Sequence, residues 1–282
     1  MRRRTTLAGR RVLVTGAARG IGAALARRLH EKGAQVALLG LEPAALAAVA
    51  HDCAAPWQEC DVRNRTAVTE AVDGLAEKLG GLDIVVANAG IAKQWSVLHG
   101  DPAVLETTLQ VNTLGVCHTI QAAARHVAHP NGYILTVSSL AAAVHLPLLG
   151  AYSASKAAVE ALGDTTRLEL GPTGAKAGVA YFAELATDMT TRGFDTKAAA
   201  AFFGTRGTLS RVTPLDVAID ALERGIRRRA ARICSPRWAA PVLLARMPVQ
   251  RAIALRARGP RMREALAIAV KEDVPFTTEQ PE

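Results

Sequence analysis

Short, continuously apolar runs alternate with longer stretches of helical spacing from residue 11 to about residue 235. Arg11 to Thr15, Gln35 to Leu39, Trp57 to Cys60, Asp83 to Asn88, Gly132 to Ser138, Ala177 to Phe182 and Ala231 to Cys234 read as strands. Strands covered on both faces lose the polar alternation of a half-exposed sheet, and most of these runs have lost it. Between them, Ile21 to Lys32, Pro43 to Ala50, Thr66 to Leu79, Pro102 to His129, Ser153 to Leu170 and Pro214 to Arg229 carry helical spacing. Pro43, Pro102 and Pro214 stand near helix starts, where the missing N–H of proline has no partner to lose. This alternation predicts consecutive βαβ units in one parallel sheet, with right-handed crossovers placing helices on both faces. Glu184 to Thr213 breaks the pattern, and so long an aperiodic connection reads as a functional lid or a poorly ordered stretch. Helical spacing resumes at Val249 to Arg258 and Arg261 to Lys271. The expected organisation is an α/β domain over 1–235 followed by an arginine-rich helical extension over 236–282.

Composition narrows the class. Half of the 282 residues are hydrophobic and only 4% are aromatic, which suits a helix-rich fold on a parallel sheet. Cys53, Cys60, Cys117 and Cys234 show no CxxC spacing, so a reduced cytoplasmic protein without a metal site is expected. The start, Met1-Arg2-Arg3-Arg4-Thr5-Thr6, is basic, but Arg10 and Arg11 interrupt the apolar core a secretory signal needs. No run reaches the roughly 18 apolar residues of a membrane span.

The net charge of +9 is concentrated in one place. Between Glu223 and Glu264 lie twelve arginines and no acidic residue, so the rest of the chain is slightly acidic. A uniformly basic nucleic-acid-binding domain is excluded on that ground. Mixed apolar and arginine positions in the extension permit peripheral contact with an anionic membrane, or packing over a substrate pocket or a neighbouring subunit.

The first strand runs into Thr15-Gly16-Ala17-Ala18-Arg19-Gly20-Ile21-Gly22, and a helix follows. Glycines in such a turn let the backbone approach a pyrophosphate, while the helix start offers free N–H groups and a favourable dipole. Further on, Tyr152-Ser153-Ala154-Ser155-Lys156 sets a phenol and an ammonium one helical turn apart on one face. A free phenol, with a pKa of about 10, holds its proton too firmly to act as a base near neutrality, and a nearby ammonium favours the phenolate. Ser139 ends the fifth strand, where open parallel sheets bind ligands, and its hydroxyl is suited to hold a carbonyl or alcohol oxygen. Taken singly, each residue has a bland structural reading; their order behind a phosphate cradle does not.

The TGxxxGxG spacing, with Asp61-Val62 after the third strand, Asn88-Ala89-Gly90 after the fourth and the Ser139, Tyr152, Lys156 set, resembles the short-chain dehydrogenase/reductase family over roughly residues 8 to 235. The resemblance implies a Rossmann-like, doubly wound, seven-stranded parallel sheet and an oxidoreductase that interconverts a secondary alcohol and a ketone. It implies adenine contacts from Asp61 and Val62, a central sheet steadied by Asn88, Ala89 and Gly90, and a proton relay completed by Asn112. Tyr152 and Lys156 would also bind the nicotinamide ribose side, and Thr187 would contact the carboxamide. The family's Pro-Gly pair after the sixth strand is replaced here by residues of Phe182-Ala183-Glu184-Leu185-Ala186-Thr187. Homodimers or homotetramers, built on the long helices around Asn112 and Tyr152, are expected by the same resemblance.

Cofactor choice turns on the end of the second strand, Leu39-Gly40-Leu41-Glu42. Gly40 falls where the family's aspartate would repel a 2′-phosphate, and Arg19 can pair with one, so NADP(H) is favoured over NAD(H); Glu42 within reach of the ribose is the argument for NAD(H). The apolar stretch Leu140 to Leu149, with Trp95, Phe194, Phe202 and Phe203 on the loops expected over the site, points to an apolar sterol-, terpenoid- or acyl-like substrate. Glu184 or His145 could touch a polar group of it. A 3-oxoacyl-thioester reductase is the alternative within enzymes, and a catalytically silent dinucleotide-binding regulatory protein the alternative outside them.

Overall fold

The computed structural model describes residues 6–193, 196–204, 212–272 and 274–280. Seven parallel strands, β1 (Arg11–Thr15), β2 (Gln35–Gly40), β3 (Trp57–Glu59), β4 (Ile84–Ala87), β5 (Tyr133–Val137), β6 (Lys176–Phe182) and β7 (Arg232–Ser235), form one sheet in the order β3-β2-β1-β4-β5-β6-β7. Chain direction across the sheet reverses between β1 and β4, so a crevice opens beyond their carboxyl ends. Val12, at the centre of this region, pairs with Val36 on one side and Ile84 on the other.

Period-two alternation divides the strand residues between two cores. Val12, Val14, Leu38 and Leu135 pack on one face against α1 (Gly20–Glu31), α2 (Pro43–Asp52) and α9 (Leu215–Arg228). Leu13, Leu39, Val85 and Ile134 pack on the other against α3 (Arg65–Leu79) and α5 (Gly115–Val127). Both faces are therefore dry, which is why the strands read as unbroken apolar runs.

Local chemistry fixes the helix limits. Asn64 caps α3 by accepting from Ala67 N at 3.1 Å, and Gly80 ends it at φ 72°. Asp101 caps α4 (Pro102–Leu109) with Pro102 in its first turn. The single helix expected from Pro102 to His129 is instead α4 and α5 joined by a π-helical turn over Gln110–Leu114. Helical spacing hides such a turn, because one inserted residue leaves the flanking periodicity intact. Helix α6 (Gly150–Leu170) starts three residues before the expected Ser153 and takes Tyr152 into its first turn.

The aperiodic connection holds two short helices, α7 (Asp188–Gly193) and α8 (Lys197–Phe203). Beyond β7 come α10 (Ala239–Leu244), which the spacing did not announce, α11 (Arg246–Arg256) and α12 (Pro260–Ala269). Ala265 of α12 joins Phe202 and Leu148 in one cluster, and Ile253 of α11 joins Ala143 and Val144 in another. His145 N donates to Gln250 Oε1 at 2.8 Å and Gln250 Nε2 donates back to His145 O at 3.1 Å. The extension thus lies over the Leu140–Leu149 stretch, while Leu244 and Met247 at its elbow are 91% and 76% exposed. Among the described residues no helix is long and apolar enough to cross a membrane. Met1 to Thr5 and Phe194 lie outside the described residues.

Candidate active site

The turn after β1 is held by side chains of the next strand over. Thr15 Oγ1 accepts from Asn88 N at 3.0 Å and Ala89 N at 3.2 Å, while Asn88 Nδ2 donates to Thr15 O at 3.0 Å and Gly16 O at 3.2 Å. Side chains are barred where the chains cross: a Cβ on Gly16 would lie 2.7 Å from Ala89 Cα, and one on Gly22 would lie 2.2 Å from Gly16 O. Gly20, at φ 55°, meets nothing within 4 Å on its open side. Helix α1 starts there with neither a side-chain cap nor an acidic residue in its first turn. Its free N–H groups and unopposed dipole suit an anion.

A groove of about 1090 Å³ runs from this turn. Its walls include Gly16, Ala18, Arg19, Gly20, Ile21, Gly40, Leu41, Asp61, Val62, Asn88, Ala89, Gly90, Lys156 and Thr187, so nearly every residue expected to hold a dinucleotide is brought to one place. Thr15 and Gly22 stand behind the wall and shape the turn. The geometry fits a dinucleotide: a glycine cradle, an uncapped helix start and a long cleft at the strand reversal.

Two expectations about this groove change. Arg19 is not free to meet a phosphate: its Nε lies 2.9 Å from Glu42 Oε2, and its Nη2 donates to Thr278 Oγ1 at 2.9 Å. Removing the family's aspartate at Gly40 therefore does not clear the groove of negative charge, because Glu42, two residues on, folds back against the same cation. The Asp61 carboxylate is likewise engaged, accepting from Arg63 N at 2.9 Å and Arg63 Nε at 2.8 Å.

At the inner end, β5 and α6 bring the polar set together. Tyr152 and Ser139 line the same cleft, and Ser139 stands near enough to the phenol to favour its charged form. Ser139 Oγ also accepts from Ala141 N at 3.1 Å and donates to Phe182 O at 3.3 Å, which fixes it at the strand end. Ser138 Oγ donates to Lys156 O at 2.8 Å and ties α6 to β5. Lys156 Nζ donates to Val137 O at 3.0 Å and lies 5.6 Å from the Tyr152 ring centroid. Asn112 is fully buried in the π turn, where Oδ1 accepts from Ile91 N at 2.8 Å and Nδ2 donates to Ile91 O and Ser155 Oγ, each at 2.9 Å. A Cβ on Gly90 would lie 3.2 Å from Asn112 Oδ1 and 3.3 Å from Lys156 Nζ, so glycine is what lets these two approach.

Burial sets the electrostatics of this set. It pushes the Tyr152 phenol up to about 12, against the pull of the Ser139 hydrogen bond, and brings the Lys156 ammonium down to about 8. The expected lowering of the phenol by the ammonium does not emerge in the protein alone, where desolvation dominates and Tyr152 holds its proton near neutrality.

An apolar cleft of about 1210 Å³ opens on the other side of Ser139 and Tyr152. Leu140, Val144, Leu146 and Leu149 wall it on one side, and Phe203, Trp238, Val242 and Val249 close it. Ile21, Ser138, Phe182, Thr187 and Met189 line both this cleft and the groove, so the two compartments meet beside the reactive hydroxyls. Of the aromatics expected here, Phe203 lines the cleft; Phe202 is buried against α12, and Trp95 donates to Asp101 O at 2.7 Å as a structural tie. His145 is exposed and serves through its backbone, whereas Glu184 does border the cleft. Trp238, Val242 and Val249, with Thr277, Thr278 and Gln280 in the groove, were not anticipated.

A model of the short chain dehydrogenases matches residues 10–198, well over half of the chain. The chain belongs to the short chain dehydrogenase family. It is accordingly an oxidoreductase acting on CH–OH groups in the manner of that family. It is 39% identical over 158 residues to cis-4-hydroxycyclohexanecarboxylate dehydrogenase of Sinomonas cyclohexanicum, covering 54% of this chain and 64% of that one. It is 36% identical over 171 residues to L-2,3-butanediol dehydrogenase of Corynebacterium glutamicum, covering 57% and 66%. The chain thus spans just under two thirds of either relative. Among solved structures, a short chain dehydrogenase of Burkholderia cenocepacia J2315 in complex with NADP matches at TM-score 0.70 and 31% identity, covering 81% of this chain and 96% of that one. In this dehydrogenase the matched region stops before β7, so α10 to α12 lie outside it.

Proposed function

We propose that this short chain dehydrogenase interconverts an apolar secondary alcohol and its ketone, with a nicotinamide dinucleotide in the glycine-turn groove. The observation that carries the proposal is the placing of Tyr152 and Ser139 together at the junction of the glycine-turn groove and an apolar cleft. When bound, the dinucleotide supplies or takes up the hydride. Tyr152 moves the proton at the substrate oxygen, and its high pKa keeps it ready as a donor to a carbonyl. Ser139, held from Ala141 N, turns its hydroxyl proton from Phe182 O to the same oxygen when substrate is bound. Lys156, buried beside Gly90, holds the nicotinamide ribose side, and Asn112 pins the backbone at Ile91 against which both pack.

The cleft accepts apolar bulk through Leu140, Val144, Phe203 and Trp238, and supports substrates of sterol, terpenoid or acyl size. NADP(H) remains the favoured partner because no carboxylate sits at Gly40, but it must draw Arg19 away from Glu42; NAD(H) needs no such exchange. The test is a panel of cyclic and long-chain ketones, their alcohols and acyl thioesters, each with NADH and NADPH or their oxidised forms, read by absorbance at 340 nm. Turnover on apolar ketones or alcohols is expected. Turnover on thioesters alone would replace this reading with a 3-oxoacyl-thioester reductase, and dinucleotide binding without any turnover would replace it with a binding protein.

A further inference from the structure

After α12 the chain turns back to the groove. Thr277 N donates to Ala92 O and Ala92 N donates to Thr277 Oγ1, both at 3.0 Å, a two-bond clasp on the backbone just past Gly90. Thr277 is only 4% exposed, and Phe276 packs beside Ile91 with Lys93 Nζ 5.3 Å from its ring centroid. Upstream, the Glu272 carboxylate accepts from Lys197 N at 2.9 Å and Ala198 N at 3.2 Å at the start of α8, and from Gln94 Nε2 at 3.2 Å. Downstream, Thr278 Oγ1 takes a hydrogen bond from Arg19. The segment is therefore fastened both to the loop after β4 and to the turn after β1, and Thr277, Thr278 and Gln280 form part of the groove wall.

We infer that residues 274–280 are a binding element of the dinucleotide site, a clasp that retains the nucleotide and slows its release. The inference rests on reading the groove as the dinucleotide site. Thr277, Thr278 and Gln280 border the groove beside the glycine turn, so the segment forms one of its walls. A ligand walled in this way leaves more readily when the bonds to Ala92 and Arg19 open, and each bond adds to the barrier. The Arg19 link also connects the clasp to a cation of the groove wall: a phosphate that pulls Arg19 from Glu42 moves the partner of Thr278 as well.

The experiment uses the whole chain, loaded with NADPH or NADH and chased with excess oxidised dinucleotide, with release followed by stopped-flow fluorescence. Thr277→Val removes the acceptor of Ala92 N and is expected to speed release about tenfold, the order of one buried hydrogen bond. Thr278→Val removes the bond from Arg19 to the segment and is expected to speed it about threefold, as suits a partly exposed bond. Thr277→Ser, which keeps the hydroxyl, restores the slow rate. Equal or slower release in both valine variants, with wild-type binding intact, overturns the clasp. Failure of the wild type to bind either dinucleotide overturns the groove reading instead. Should Thr277→Val lose thermal stability, Thr278→Val with its partner variant Arg19→Lys decides alone.

Discussion

The groove and the apolar cleft share five residues, yet they are built by different means. The groove is mostly backbone: a glycine turn, a helix start and the ends of β2 to β6, held by Thr15 and Asn88 at fixed short spacing. The cleft is mostly side chains, brought in from the Leu140–Leu149 stretch, from α8 and from α10 and α11, more than a hundred residues apart. Backbone sites tolerate little, since a clash with a carbonyl has nowhere to go, whereas an apolar wall yields by repacking. The two compartments of one active site should therefore respond to substitution on different scales.

The largest effect is expected at their junction. Tyr152→Phe removes the phenolic proton while keeping the ring, and turnover should fall by about 10²–10⁴-fold, the usual contribution of a positioned acid or base. Fluorescence titration should show dinucleotide affinity nearly unchanged; retained turnover would remove Tyr152 from the mechanism. On the groove side, Gly22→Ala drives a methyl into Gly16 O. Overpacking of this kind costs about 1–3 kcal/mol, so a melting temperature several degrees lower and a dinucleotide Kd at least about tenfold weaker are expected. A silent Gly22→Ala would mean that the turn is less closely packed than the backbone contacts require. On the cleft side, Val249→Ala removes two methyl carbons from a partly exposed wall. Less than about 0.8 kcal/mol, the value for a buried methylene, is lost at each, so KM for an apolar ketone should rise only several-fold. Dinucleotide Kd should not move, and a shift there would show that the compartments are not separable in this way.

The same contrast explains what could be read from residue order. The strands, their parallel arrangement and nearly all groove residues were legible because glycine spacing and apolar runs are local signals. The nearness of Tyr152 and Lys156 was legible because the two lie on one helical face. The Glu42–Arg19 pair was harder: the turn after β1 and the end of β2 are distant in sequence, and only the folded crevice puts a carboxylate where Gly40 lacks one. The π turn at Asn112 was not read, since a single inserted residue keeps the hydrophobic period of each flank and only shifts its phase. Cleft walls such as Trp238 and Val249 gave no signal, because an apolar residue looks alike whether it faces a ligand or a neighbouring helix. Trp95 and Phe202, offered as pocket aromatics, turned out to be packing residues for that reason.

The bond between Arg19 and Thr278 spans 259 positions of the chain. On a ribosome, the glycine turn and the first four strands emerge long before Thr278 does, and domains begin to organise as they emerge. A nascent chain can thus shape its crevice well before Thr278 is made, and a grip of the kind inferred for that segment waits for residues translated after the whole sheet.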